Sequence, residues 1–288
     1  MKPPPFHYTR PGTLDEALTT LAAHGADARP LAGGQSLIPL LNLRLARPGL
    51  LVDLNFVPGL AEIRFEDGTL VLGAMVRQRA LERDAQIAHR LPLLAAATRL
   101  VGHPQIRNRG TVGGSLAHAD PSAEYPALAL ALDAELVARS ATGERIIPAR
   151  DFFLDLFTTA LAPGELLTTI RIPMPAPGTG WSIQEIARRH GDFALAGAVV
   201  LLRKAADGTC EHAAIALFGV GTRPLRLQAA EQALVGRPLT TETIGEAAAL
   251  AVDAIDEPLS DVHGSATYRR RMAGVVVRRA LSEAAQRA

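Results

Sequence analysis

Two glycine-containing segments hold the residue types with the clearest chemistry. They are Leu31-Ala32-Gly33-Gly34-Gln35-Ser36-Leu37 and Arg109-Gly110-Thr111-Val112-Gly113-Gly114-Ser115-Leu116. Paired glycines reach backbone angles closed to other residues and lack the Cβ that would hold a ligand away. Successive peptide N–H groups can then turn inward around an anion. Ser36, Thr111 and Ser115 add hydroxyl donors, and a helix starting at Ser36 would add its partial positive charge. Apart from Arg109 at the edge of the second segment, no lysine or arginine lies in either glycine loop, so the backbone would carry the phosphate contacts. Neither segment is the G-x-G-x-x-G dinucleotide fingerprint or a Walker loop. For one Gly-Gly alone, a tight turn is the favoured reading. Two in one chain fit a diphosphate cofactor gripped from two sides, without naming it.

The elements that must position these loops can be read in outline. Thr13 with Glu16 fits a capping box before a helix through Ala17, Leu18 and Leu21. Residues 30–32 read as a short strand running into the first glycine pair, and residues 50–54 as a buried strand. Leu37, Leu40, Leu41 and Leu45 recur at helical spacing, although Pro39 restricts where that helix begins. Residues 61–65 and 69–72 around Asp67-Gly68 form a hairpin signature. Helical patterns cover residues 81–88 and 91–101. Residues 102–126 then read as one long irregular piece, the kind of loop that is usually functional. Strands resume at 134–139, 145–148 and 165–172.

Residues 173–180 hold three prolines and two glycines and read as a linker. Beyond it lie strands near 182–187, 194–203 and 213–220, with Asp207-Gly208 as a turn. Helices follow at about 225–235, 241–256 and 268–285. The fold class is α+β, with residues 1–175 as one domain (subdomains about 1–57 and 58–175) and residues 181–288 as a smaller α+β domain.

Composition narrows the function. The 288 residues carry 30 basic and 29 acidic side chains, a net charge of +1, which argues against an electrostatic nucleic-acid binder. The single cysteine, Cys210, excludes an internal disulfide and an iron–sulfur cluster held by this chain alone, since a cluster needs about four thiolates. No apolar run reaches the ~20 residues of a membrane span, and the proline-rich start lacks a signal-peptide core. A cytoplasmic protein is expected. His103 and His118 have no neighbour at zinc-ligand spacing, so no metal site is expected.

With both motifs in view, the chain resembles the FAD-binding (medium) subunits of the molybdenum hydroxylase and xanthine dehydrogenase family, such as those of aerobic carbon monoxide dehydrogenases. Ala32-Gly33-Gly34-Gln35-Ser36-Leu37 is similar to that family's first flavin motif. Residues 108–124, from Asn108 through Glu124, are similar to its second and more specific one. Ala187-Arg188-Arg189-His190-Gly191-Asp192-Phe193-Ala194 and the basic helix from Tyr268 to Leu281 extend the likeness over nearly the whole chain.

The resemblance implies a two-subdomain FAD-binding domain of the vanillyl-alcohol-oxidase (PCMH) type, followed by a C-terminal domain that covers the ring. It implies cofactor contacts from Ala32, Gly33, Gly34, Gln35, Ser36 and Leu37, and from Thr111, Gly113, Gly114 and Ser115. It adds an acidic contact at Glu124, apolar packing by Val101 and Leu167, and ring neighbours at Asp192 and Phe193. Each has a plainer reading: Glu124 as a helix-start charge, Val101 and Leu167 as core, Asp192 as a turn residue, Phe193 as core. Some family members have a lysine where this chain has Gln184 and Glu185, so no charged cofactor contact is assigned there.

The implied role is an electron relay without a catalytic acid or base. A small 2Fe-2S subunit would donate electrons, a large molybdopterin subunit would oxidise substrate, and the assembly would be a dimer of heterotrimers. The alternatives are a stand-alone FAD-dependent oxidoreductase of the same fold, and a binding module that has lost its cofactor.

Overall fold

The computed structural model describes residues 2–288. The chain begins with three parallel strands, β1 (His7–Thr9), β2 (Ala28–Leu31) and β3 (Leu50–Asp53), in the order β1-β3-β2. Helix α1 (Leu14–His24) joins β1 to β2, and α2 (Leu37–Asn42) joins β2 to β3. Ala17, Leu18 and Leu21 bury one face of α1 against Val52 and Leu54. Thr13 caps α1 by accepting from Glu16 N, but the Glu16 carboxylate reaches Gly12 N at 2.7 Å instead of the cap residue itself. The expected reciprocal box is therefore displaced by one residue.

A five-stranded antiparallel sheet follows, in the order β4-β5-β10-β6-β7. Its first hairpin joins β4 (Ile63–Glu66) and β5 (Thr69–Gly73) through Asp67 and Gly68, both at positive φ (45° and 74°), as a type I′ turn requires. Six helices separate β5 from β6: α3 (Gln78–Arg83), α4 (Ala85–Arg90), α5 (Pro92–Leu100), α6 (Pro104–Arg109), α7 (Val112–His118) and α8 (Glu124–Ala131). The helix read over 81–88 is broken at Asp84, whose carboxylate caps α4 through the amides of Gln86 and Ile87.

The irregular reading of residues 102–126 is corrected: α6, α7 and the start of α8 lie within it. Pro104 sits in the first turn of α6, and Thr111 caps α7. Glycines 113 and 114 lower local helix propensity, so the pattern hid a helix that packing and a cap maintain.

β6 (Glu135–Ser140) and β7 (Gly143–Pro148) form a second hairpin. The short helix α9 (Ala149–Phe152) leads to the small ribbon β8 (Phe153–Asp155) and β9 (Thr158–Thr159). β10 (Leu166–Pro173) then inserts between β5 and β6.

The last sheet is antiparallel, β11 (Gly180–Ile186), β12 (Ala196–Lys204), β13 (Cys210–Phe218) and β14 (Leu225–Arg226). Strand alternation divides its side chains between two cores. Ala198, Val200 and Leu202 pack on helices α10 (Gln228–Leu234), α11 (Thr241–Asp253) and α12 (Ala266–Arg287). Val199, Leu201, Ala216 and Phe218 face the opposite way and join one core with α5 and α8. No helix among the described residues is long and apolar enough to cross a membrane.

Candidate functional site

The two glycine segments, which start at Leu31 and Arg109, lie against each other. A Cβ on Gly33 would fall 2.8 Å from Gly110 Cα, and one on Gly114 would fall 3.3 Å from Ala32 Cβ. Gly33 is required by this close approach, and Gly34 by its φ of 75°.

The segments use their amides differently. Among the described residues, none of the N–H groups of residues 33–37 donates to a protein acceptor. Ser36 precedes α2 without a side-chain capping bond, and Gln35 donates its side-chain amide to Gly33 O at 3.2 Å. In the second segment the amides are occupied. Val112 N donates to Val76 O at 3.0 Å, Gly113 N to Ala74 O at 2.9 Å, Gly114 N to Thr111 Oγ1 at 3.0 Å and Ser115 N to Thr111 O at 3.2 Å. The expectation of two inward-facing amide cradles is therefore corrected. The first loop offers free donors. The second is a capped helix start braced on the end of β5, offering the Ser115 hydroxyl and a small-residue surface. An anionic group fits the first loop, because a run of successive amides there is left without protein acceptors.

A side-chain network invisible in the sequence ties the loops together. Tyr8 donates to Asp53 Oδ2 at 2.6 Å, and Asp53 Oδ1 accepts from Asn55 N at 2.9 Å. Asn55 Nδ2 donates to Ala32 O at 3.0 Å, fixing the first loop. Arg77 donates to Asn55 Oδ1 at 2.5 Å and to Arg109 O beside the second loop. Burial works against the Asp53 charge, yet the Tyr8 and Asn55 hydrogen bonds outweigh it and hold its carboxyl below the usual range. Asn55 and Arg77 carry no motif signal, and only their long-range partners mark them.

Leu167 is buried in the large core. The next residue, Thr168, accepts from Ala74 N at 2.9 Å, and Ala74 O takes the Gly113 amide, so β10 supports α7 through β5.

The remaining candidates form a second group. Val101 follows α5 as its C-cap and is partly buried. Arg107, itself buried, donates to Val101 O at 2.9 Å and Gly102 O at 3.0 Å while bonding both Glu82 oxygens at 2.9 and 3.1 Å. Gly191, with φ of 86°, packs on His103 and Gly102, which brings the turn carrying Asp192 and Phe193 against the segment that follows Val101. Phe193 is 65% exposed, so its plain reading as a core residue is overturned. Asp192 N closes a turn on Arg189 O at 3.1 Å.

Glu124 opens α8, as its plain reading holds, but it is only 8% exposed. Burial first, then the facing carboxylates of Glu185 and Asp120, push its carboxyl up to about 8. Glu185 is raised to about 7 by burial. The neighbouring Gln184 points away, donating to Glu283 at 2.6 Å.

Comparison with known proteins places these features. Residues 4–175 match the family model for the FAD binding domain in molybdopterin dehydrogenase, and residues 181–284 match the CO dehydrogenase flavoprotein C-terminal domain. The chain is 45% identical over its whole length to the 6-hydroxypseudooxynicotine dehydrogenase complex subunit alpha of Paenarthrobacter nicotinovorans, covering 97% of that protein. It is 43% identical to the carbon monoxide dehydrogenase medium chain of Hydrogenophaga pseudoflava, over 99% of this chain and 98% of that one. The solved carbon monoxide dehydrogenase of Hydrogenophaga pseudoflava superposes with a TM-score of 0.97 at 44% identity, covering 100% of this chain and 99% of that one. Quinoline 2-oxidoreductase from Pseudomonas putida 86 gives 0.94 at 42%, covering 99% of each chain. With both family models matched in order and a relative aligned from end to end, this chain belongs to the FAD-binding medium subunits of the molybdenum hydroxylases.

Proposed function

We propose that this chain is the electron-relay subunit of a heterotrimeric molybdenum hydroxylase. It takes electrons from a small 2Fe-2S subunit, itself supplied by a large molybdopterin subunit, and passes them to an external acceptor. The assembly is a dimer of such heterotrimers in the cytoplasm. The observation that carries this reading is the run of unsatisfied amides at residues 33–37, braced by a second glycine segment in a chain of this family.

FAD supplies the redox chemistry when bound, accepting electrons and returning them in pairs or singly. The chain's own residues bind and orient it. In this reading residues 1–175 hold the cofactor, with subdomains 1–57 and 58–175 each contributing one glycine segment. Residues 181–288 cover the ring. The amides of Gly33, Gly34, Gln35, Ser36 and Leu37 take the diphosphate, with the Ser36 hydroxyl beside them and Ala32 held in place by Asn55. Thr111 fixes α7, buried Gly113 lets that helix seat against Ala74, Gly114 leaves its start clear of a side chain beside Ala32, and Ser115 presents its hydroxyl. Val101 and Leu167 give apolar packing, Glu124 gives a polar contact, and Asp192 with exposed Phe193 closes over the ring. No residue is assigned as a catalytic acid or base for substrate, because substrate oxidation belongs to the large subunit.

The test is purification of the chain with whatever accompanies it from its native host, followed by a visible spectrum and metal analysis. Flavin, iron and molybdenum with subunits in equal amounts are expected. A yellow, metal-free single chain that turns over a substrate unaided would overturn the relay in favour of a stand-alone flavoenzyme.

A further inference from the structure

Two carboxyl groups with no basic partner meet where the C-terminal sheet packs on the rest of the chain. Glu185 lies on β11 between Gln184 and Ile186. Ser182 and Gln184 turn toward α12, where both donate to Glu283 at 2.6 Å. By strand alternation Glu185 shares the opposite face with Trp181 and Ile183, which pack on the core containing α5 and α8. Glu124, at the first position of α8 and only 8% exposed, lies on a helix packed in that same core. Oxygen Oε2 of Glu185 is fully buried and has no hydrogen-bond partner, and Glu124 makes no side-chain hydrogen bond to another residue.

The groups facing the pair do not neutralise it. Asp120, in the turn before α8, adds a third acid, with half-buried His118 beyond it. From β12 the residue paired with Glu185 is Gly197, which carries no charge. On the α5 side, Thr98 and Tyr125 share a hydrogen bond of 2.9 Å. Arg107 lies toward Tyr125 and is committed to Glu82. Two facing carboxylates without a cation cannot both stay ionised at low cost, and a shared proton relieves both the burial and the repulsion.

We propose that Glu124 and Glu185 act as one proton-holding carboxyl pair that takes up a proton when the neighbouring flavin is reduced and gives it back on reoxidation. This rests on the FAD reading, which puts the ring beside Val101, Glu124 and Phe193. The step balances. Electrons reach the flavin from an iron–sulfur donor, a one-electron reductant. The added negative charge raises the pair's proton affinity, and the pair draws one proton from solvent. When the external acceptor removes the electrons, that proton returns to solvent. Because the groups are coupled, their ionisations belong to the pair and not to either residue.

The test is the flavin midpoint potential of the purified complex, followed against pH for the wild type and for Glu185→Gln. In the wild type the potential should fall with pH by one additional proton over the neutral to mildly alkaline range, and that extra slope should vanish in the variant. Glu124→Gln should have the same effect. Infrared difference spectra of the wild type at pH 7, reduced minus oxidised, should also show a gain in the protonated buried carboxyl band, which needs no variant to fold. Identical slopes in wild type and a folded, flavin-loaded variant would overturn the proposal alone, as would a wild type without that gain in the carboxyl band. A folded complex without flavin absorbance would overturn the FAD reading, and this proposal with it.

Discussion

Gly33 and Gly110 pack so closely that a Cβ on the first would sit 2.8 Å from the Cα of the second, and 2.9 Å from the carbonyl carbon of Arg109. These obstacles are backbone atoms, which cannot swing aside as a side chain could. Gly33→Ala must therefore separate the two loops. We expect a loss of about 1–3 kcal/mol in stability, typical of overpacking, and at least a tenfold weaker retention of FAD. Flavin absorbance per chain after gel filtration measures the second effect, and unchanged loading would show that the loops need not touch.

Asn55 holds Ala32 O and accepts from Arg77, so it joins both loops. Asn55→Ala leaves Ala32 O and part of the Arg77 guanidinium without these partners, and because both are only part-buried the cost is about 1 kcal/mol for each bond. Faster flavin release with a modest fall in the urea midpoint is expected. A variant that unfolds earlier but keeps its flavin off-rate would limit the network to stability.

Thr111 caps α7 through Gly114 N at 3.0 Å. Thr111→Ala should cost about 1 kcal/mol, while Thr111→Ser should retain most of that. Thermal or urea unfolding of the two variants side by side checks the difference.

Glu82 is held at about 2 chiefly by hydrogen bonds from Arg107, with burial opposing and Arg79 assisting. Its folded value lies below the ordinary 4.5, so its contribution to stability is present above about 4.5 and is lost as pH falls toward 2. Glu82→Gln should destabilise by about 3 kcal/mol at neutral pH, because it leaves buried Arg107 without its counter-charge. Urea midpoints measured from pH 7 down should converge for wild type and variant near pH 2. Parallel curves would refute the pairing.

Glu124 shows the opposite sign. Burial first, then Glu185 and Asp120, raise its value from 4.5 to about 8. Between those limits the folded chain keeps a proton that the unfolded chain releases, so stability falls as pH rises through that window. Glu124→Gln should flatten the decline, gaining on the wild type toward pH 8 and differing little in slope below 4.5. Denaturant midpoints across that range provide the measurement.

Much of the scaffold was legible because its signals are local. Asp67-Gly68 demanded a hairpin, and the two positive φ angles supply it. The strand read at 194–203 and the helix read at 268–285 are found as β12 and α12, each within a few residues of those bounds. The reading failed between 102 and 126, where glycines and prolines suggested irregular chain although three helices lie there or begin there. Propensity speaks for an isolated segment. Here caps and burial against α5 and β10 outweigh it.

By itself, the sequence determined that two glycine segments exist, that paired glycines permit close approach, and that their pattern belongs to a flavin-binding family. Only the tertiary structure decided that the first loop keeps its amides free while the second uses its own. It alone brought Asn55 and Arg77 between the loops and set Glu124 against Glu185. The physical reason is that backbone freedom is a property of a residue and its neighbours, whereas satisfying a buried amide or carboxyl depends on which distant groups the packed chain brings within hydrogen-bond reach.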